Sequence, residues 1–216
     1  MRREQRYDIA KRSLDVAVSA VGLVLTAPIQ AVVAAVVLVV HGRPVLFRQA
    51  RPGLHGETFE LIKFRTMRHP DADHVTDAER LTRAGRWLRS TSVDELPTLW
   101  NVLRGDMSIV GPRPLLVAYL TRYTPEQARR HEVRPGVTGL AQVSGRNALS
   151  WEDRLSLDVD YVQRRSLALD VSIIGRTVVT VLRREGISGD GHVTMDEFVG
   201  AMPPSPDAGM RARVRT

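Results

Sequence analysis

VAVSAVGLVLTAPIQAVVAAVVLVV, Val16 to Val40, runs for 25 residues without a charged side chain or a histidine. About 20 apolar residues suffice to cross a bilayer as a helix, so this stretch reads as membrane-embedded. Two other readings are weaker. A secretory signal has a shorter apolar segment and a small-residue cleavage site, and no clear one follows here. A soluble core helix that is apolar all round needs a large protein packed about it. Pro28 sits near the middle of the run, where it removes one backbone donor and its ring collides with the Val24 carbonyl. The halves Val16–Ala27 and Ile29–Val40 hold 12 residues each, roughly 18 Å of helix, which is short of a ~30 Å hydrocarbon core. Arg2, Arg3, Arg6, Lys11 and Arg12 precede the run, and Arg43, Arg48 and Arg51 follow it. With both flanks basic, the positive-inside rule selects no direction for a span. A helix that bends at Pro28 and returns to its starting face fits these flanks. A straight or kinked spanning helix is the alternative, and on these residues alone the two stand nearly even. Ser19 or Thr26 could bond a carbonyl freed at the bend.

The rest of the chain is long enough for one domain with a real core. Its 216 residues carry a formal charge of +7, with 31 basic against 24 acidic side chains. Hydrophobic residues at 43% and charged residues at 25% exclude wholesale disorder. The absence of cysteine excludes disulfides, thiolate metal sites and a Cys nucleophile. The His residues lack zinc-protease spacing. Of the 31 basic residues 29 are Arg, a balance suited to phosphates, nucleic acid or a lipid surface.

Pro44 to Gln49 and Thr58 to Phe64 read as two strands joined by the turn Arg51-Pro52-Gly53-Leu54-His55-Gly56, a hairpin. Asp71 to Glu79 reads as an acidic loop. Leu96, Leu99, Trp100 and Leu103 fall on one helical face, and Ser92 and Glu95 stand at capping-box spacing, which predicts a helix start at Ser92. Asp94 then lies in the first turn, where the helix dipole lowers a carboxyl pKa. Taken alone, this acidic pair reads first as N-terminal capping. Arg83, Arg86, Arg89, Arg104 and Arg113 surround it in sequence. Arg113 is held between Pro112 and Pro114, a stiff setting for a guanidinium that binds phosphate. Carboxylates among arginines suit a metal–diphosphate. Thr124, Pro125 and Gln127 mark another helix start. Arg134 to Asn147 reads as a turn-rich loop whose glycine amides could cradle an anion. Ser150 starts a further helix carrying Asp158. Leu167 to Arg184 is amphipathic, with Val171, Ile174, Val178, Val181 and Leu182 on its apolar side, and suits a membrane surface or a core equally. Asp190 to Glu197 has Met195 where a calcium loop needs glycine, so no calcium site is expected. Met202 to Thr216 reads as a disordered tail.

Taken together, several motifs resemble the bacterial sugar transferase family, the monotopic polyprenyl-phosphate phosphoglycosyl transferases. They are Lys11-Arg12-Ser13-Leu14-Asp15, Phe47-Arg48-Gln49, Lys63-Phe64-Arg65-Thr66-Met67, Thr91 to Pro97, Trp100 to Ser108, Gly111-Pro112-Arg113-Pro114 and Pro135 to Gln142. They cover about residues 8 to 186, and the chain looks like the minimal catalytic unit. The resemblance implies an α+β architecture. Residues 1–41 would form a membrane-embedded re-entrant helix-break-helix bent at Ala27-Pro28. Residues 42–186 would form a cytoplasmic catalytic domain with a small hairpin and interfacial helices, and 187–216 a C-terminal extension, flexible at its end. It also implies an activity: transfer of a sugar-1-phosphate from a UDP-sugar to a polyprenyl (undecaprenyl) phosphate in a bacterial inner membrane, with release of UMP. The product would start an exopolysaccharide, lipopolysaccharide or other surface glycan. By the same likeness Asp94 is the nucleophile, forming an aspartyl-phosphosugar, with Glu95 beside it and Mg2+ at the pair. Lys63, Arg65, Arg89, Arg113 and Arg146 would bind phosphate or uridine, and Asp158 would be a supporting acid. The family usually bends its membrane helix at Ser-Pro, and here the serine hydroxyl is missing.

A membrane-anchored nucleic-acid-binding protein is the competing class. Only 5% of residues are aromatic and no nucleic-acid motif occurs, so no nucleic-acid partner is expected. A non-catalytic scaffold that uses the acidic pair only as a cap is a third. The residues do not choose among galactose, glucose and N-acetylated sugars, and a homodimer is compatible with them.

Overall fold

A computed structural model describes residues 2–70, 76–145, 149–183 and 197–200. The acidic stretch 71–75, the expected ligand Arg146, most of Asp190–Glu197 and the tail Met202–Thr216 lie outside the described residues.

The apolar run belongs to α1, Arg2–His41, a helix of 40 residues with Pro28 inside it, ~60 Å long at 1.5 Å per residue. The helical backbone thus continues through Pro28 without a non-helical residue between the two expected halves. An interior proline removes one hydrogen bond, which a helix held on both sides survives. Neither hydroxyl named above takes the Val24 carbonyl. Thr26 Oγ1 donates to Gly22 O (2.6 Å) and Ser19 Oγ to Asp15 O (2.6 Å). Asp15, Ser19, Val33 and Val37 are buried on one side of α1, whereas Val18, Val21, Leu25, Val32 and Val39 are exposed. Only 11% of its most apolar window is buried, which excludes an ordinary core helix.

Both ends of α1 are fastened to the remainder of the chain, and the motif Lys11 to Asp15 supplies most of the N-terminal fastening. Lys11 Nζ and Tyr7 Oη donate to Asp170 Oδ2 at 2.9 and 3.0 Å. Arg12 donates to the carbonyls of Val102 (2.6 Å) and Leu103 (2.9 Å). The Ile109 amide donates to Asp15 Oδ1 (3.0 Å). At the other end Val33 and Val37 pack with Phe64 and Leu88.

The predicted hairpin is present. β1 (Leu46–Pro52) pairs antiparallel with β2 (Thr58–Phe64), from Leu46 opposite Phe64 to Pro52 opposite Thr58. After it come α2 (Asp77–Arg80), α3 (Arg83–Thr91) and α4 (Thr98–Arg104). A short strand, β3 (Ser108–Val110), follows, then α5 (Pro125–Ala128), whose Thr124–Gln127 capping box forms as read. The segment expected to be a turn-rich loop instead supplies β4 (Gly136–Thr138), parallel to β3, and α6 (Leu140–Ser144). Its glycines serve a close backbone approach. A Cβ on Gly136 would lie 2.1 Å from Gly111 N, and one on Gly111 2.4 Å from Arg134 O. Gly111 N donates to Thr138 O and Gly136 N to Pro112 O, so these two amides are not available to an anion.

α7 (Trp151–Arg164) starts at Ser150, whose side chain accepts from Asp153 N. α8 (Leu167–Arg183) buries Asp170 and Ile173 and leaves Val171, Ile174 and Val178 exposed. The apolar side of the amphipathic pattern therefore faces out, as in a surface helix. α4 is likewise turned: Thr98, Asn101 and Val102 are buried and Trp100 is exposed. Part of the C-terminal extension is packed, with Phe198 buried among Leu115, Tyr119 and Leu155.

Candidate active site

The site is built where α3 meets α4. Gly85 lets α3 lie against the end of β2, since a Cβ there would fall 1.9 Å from Thr66 O. At the end of α3 the Arg89 Nε donates to Thr66 Oγ1 (3.0 Å). Ser92 then adopts a left-handed conformation (φ 56°, ψ 15°) and closes α3 instead of opening α4. Val93 to Glu95 form a single 3₁₀ turn, and α4 begins only at Thr98 with Pro97 before it. The predicted capping box at Ser92 is not made. Proline at 97 has no N–H to return to Val93, so the chain advances by i to i+3 bonds, Leu96 N to Val93 O and Trp100 N to Pro97 O.

This turn carries Asp94, only 4% exposed, and Glu95. Side chains of α4 hold it against β2. Thr98 Oγ1 donates to Ile62 O (3.0 Å), Asn101 Oδ1 accepts from Ile62 N (3.1 Å), and Asn101 Nδ2 donates to Glu60 O (2.7 Å). Ile62 is thereby engaged from the side of α4, and the next residue, Lys63, comes under the influence of the carboxylates. Arg113, leaving β3, donates from Nη2 to Glu95 Oε1 at 2.6 Å.

The electrostatics correct the expectation for Asp94. Its carboxyl is pushed up to about 6, first by burial and second by Glu95, against the pull of Lys63, Arg89 and Arg113. A single 3₁₀ turn has little of the dipole expected of a full helix, and desolvation outweighs the cations. The cations feel the same field. Burial pulls the Lys63 and Arg89 values down while Asp94 opposes the change. The Glu95 carboxylate raises that of Arg113. No hydrogen bond to the Asp94 carboxylate occurs among the described residues, so its oxygens are not committed to a structural partner.

Five predicted site residues, Lys63, Arg89, Asp94, Glu95 and Arg113, are brought together. Arg65 is not among them. It is buried, and its guanidinium donates to the carbonyls of His41, Gly42 (2.7 Å) and Arg43 (3.3 Å), capping the C-terminal end of α1. That role follows from the unpaired carbonyls at a helix end. Asp158 is also apart from the dyad: its Oδ2 accepts from Arg130 Nε (3.0 Å) and Nη2 (2.7 Å). Ala27 and Pro28 are exposed in the middle of α1.

Two arginines near Arg113 were not anticipated. Arg51 donates to Pro114 O, and burial plus Arg113 push it down to about 10. Arg130 is buried and reaches the Arg113 carbonyl. Neither carries a local signal, because Arg129-Arg130-His131-Glu132 has the composition of a solvated surface turn.

Magnesium commonly takes one or two protein carboxylates and completes its shell with substrate phosphates and water. Among the described residues no cluster of three or more His, Asp or Glu could hold a metal alone. The adjacent carboxylates of Asp94 and Glu95, the first raised by burial and then by its neighbour's charge, fit that shared mode.

The family model described as bacterial sugar transferase matches residues 6–184. The chain is 51% identical over 196 residues to the uncharacterized sugar transferase EpsL of Bacillus subtilis, covering 89% of this chain and 97% of that one. It is 44% identical over 188 residues to a UDP-glucose:undecaprenyl-phosphate glucose-1-phosphate transferase of Caulobacter vibrioides, covering 81% and 70%. It is 37% identical over 198 residues to the exopolysaccharide production protein ExoY of Rhizobium meliloti, covering 82% and 88%. With a buried carboxylate beside a second, half-buried one, converging arginines and an apolar helix on one chain, the protein belongs to the bacterial sugar transferase family and is an enzyme, a phosphoglycosyl transferase.

Proposed function

We propose that the enzyme moves a sugar-1-phosphate from a UDP-sugar to undecaprenyl phosphate at the cytoplasmic face of a bacterial membrane, and so starts an exopolysaccharide or related glycan. The observation that carries this reading is Asp94: buried, without a hydrogen bond among the described residues, and drawn on by Lys63, Arg89 and Arg113. The names of the Caulobacter and Rhizobium relatives support the substrates and the pathway class.

Two polyanions repel, so direct attack of lipid phosphate on a nucleotide sugar is slow. A covalent route divides the charge problem. An Asp94 carboxylate oxygen attacks the phosphorus that bears the sugar. The bond from that phosphorus to the bridging oxygen breaks, and UMP leaves with the electron pair. An oxygen of the lipid phosphate then attacks the same phosphorus and the bond to Asp94 breaks, restoring the carboxylate. The nucleophiles of both steps are already ionised, so no strong base is required. Lys63, Arg89 and Arg113 stabilise the charge on the phosphoryl oxygens. Bound at Asp94 and Glu95, Mg2+ would neutralise the donor diphosphate.

The same reading makes α1 re-entrant, its helix bending at Ala27-Pro28 while the backbone stays helical. Lys11 and Arg12 at its beginning and His41 at its end are bonded to one and the same polar domain. A helix spanning the bilayer would separate those ends by the whole hydrocarbon core. The exposed middle, around Ala27-Pro28, is then the deepest point, and the outward apolar sides of α4 and α8 rest near the interface. Two measurements test the proposal. Enzyme mixed with each of a panel of UDP-sugars, without acceptor, should gain the mass of one phosphosugar on Asp94 and release UMP. Persistent lack of the adduct in an active preparation would refute the covalent route. A cysteine added at the C-terminus should resist impermeant labelling of intact cells, and outside labelling would refute the re-entrant topology.

A further inference from the structure

Behind Arg113 lies a second buried charge pair, Arg130 and Asp158, with side chains 1% and 2% exposed. Arg130 forks. Its Nε and Nη2 donate to Asp158 Oδ2, and the same Nη2 donates to the Arg113 carbonyl at 2.7 Å. Its Nη1 reaches the Tyr123 hydroxyl (3.4 Å), and its guanidinium lies 5.7 Å over the Tyr123 ring. Tyr123 stacks on Phe198 (centroids 5.6 Å), and Phe198 lies 5.5 Å from Tyr119 and 5.3 Å from Trp151. Phe198 belongs to residues 197–200, beyond the family-matched segment 6–184.

Burying two charges costs desolvation, and well-packed apolar residues of similar volume are often as stable or more so. Stability is thus a poor explanation for the pair. Its distinctive bond is the one to Arg113 O, on the residue whose side chain grips Glu95 at 2.6 Å. Pro112 and Pro114 stiffen the backbone on either side, so fixing the carbonyl of Arg113 limits where its guanidinium lies. We propose that Arg130, anchored by Asp158, is a positioning residue that sets Arg113 against Glu95 and the donor phosphates. It touches neither the dyad nor substrate itself. The inference rests on Arg113 acting on the phosphates, as proposed above.

The test is Arg130→Lys, which retains charge toward Asp158 but lacks the planar fork, combined with Arg113→Ala in a double-mutant cycle. UMP release is measured with confirmed folding. Arg130→Lys should lower kcat by about 10- to 100-fold with a smaller change in KM, as loss of orientation does. In the Arg113→Ala background it should have little further effect. Should Arg130→Lys not fold, the apolar pair Arg130→Met with Asp158→Leu takes its place under the same expectations. A folded variant with wild-type kcat, or a full additional loss in the Arg113→Ala background, overturns the positioning role. Wild-type turnover in Arg113→Ala alone would instead reject the phosphate role of Arg113, and the two failures are separable.

Discussion

Asp94 and Asp158 are the same residue type in similar depth, 4% and 2% exposed, yet their surroundings differ in kind. Asp158 takes two bonds from one guanidinium, at 3.0 and 2.7 Å. Asp94 has a like charge beside it and three cations that act on it without a hydrogen bond among the described residues. Burial raises the carboxyl pKa at both positions, but only at Asp158 is the charge answered by direct contact. A buried acid with a committed partner holds structure. A buried acid with uncommitted oxygens is poised to bond something else, which in the proposed reaction is phosphorus and a cation.

The sharpest way to break this contrast is to neutralise each acid. Asp94→Asn should retain the fold and lower UMP release by ~10^4-fold or more, the scale seen when a nucleophile is removed. Asp158→Ala should instead destabilise the protein by about 3–5 kcal/mol, because Arg130 is left as an uncompensated buried charge. Thermal unfolding in detergent or nanodiscs reads this. Activity should next show the Asp94 ionisation. With its carboxyl at about 6 in the free enzyme, kcat/KM should fall tenfold per pH unit below that value and level off above it, a fall that bound magnesium would move to lower pH.

A smaller effect tests the cost of that poise. The folded pKa of Asp94 is raised above the unfolded value of 3.8. The unfolded state then binds fewer protons than the folded state between these values, so stability falls as pH rises from about 4 to 6. Asp94→Asn removes this penalty. It should raise stability by ~1–3 kcal/mol at pH 8 and by almost nothing at pH 3.5. The smallest expected change concerns Arg65, which caps α1. Arg65→Lys should leave KM for the UDP-sugar within about twofold while lowering the unfolding temperature slightly, since caps are worth ~1 kcal/mol. A large rise in KM would return Arg65 to the substrate.

Much of this was legible along the chain. The short run with Phe59, Leu61, Ile62 and Phe64 and the glycine turn before it define the hairpin, and Thr124 and Ser150 start their helices through their own side chains. The motif order brought Lys63, Arg89, Asp94, Glu95 and Arg113 to one site. Ser92 misled. Its spacing to Glu95 suits a capping box, but a left-handed backbone at Ser92 and a proline at 97 turn the segment into a 3₁₀ bridge. Asp94 misled for the same reason, because its pKa depends on how much water the fold removes.

Patterns that act within a few residues, such as the apolar length of α1, the turns and the caps, are complete in the order of amino acids, because each depends on bonds to near neighbours. Which arginine stands at the carboxylate pair and which is spent on the protein frame was decided only by packing. Arg65, Arg113 and Arg130 look alike in sequence, and they separate because one closes a helix end, one faces Glu95 and one is sealed against Asp158. A charge takes its role from the dielectric and the partners that distant segments bring to it.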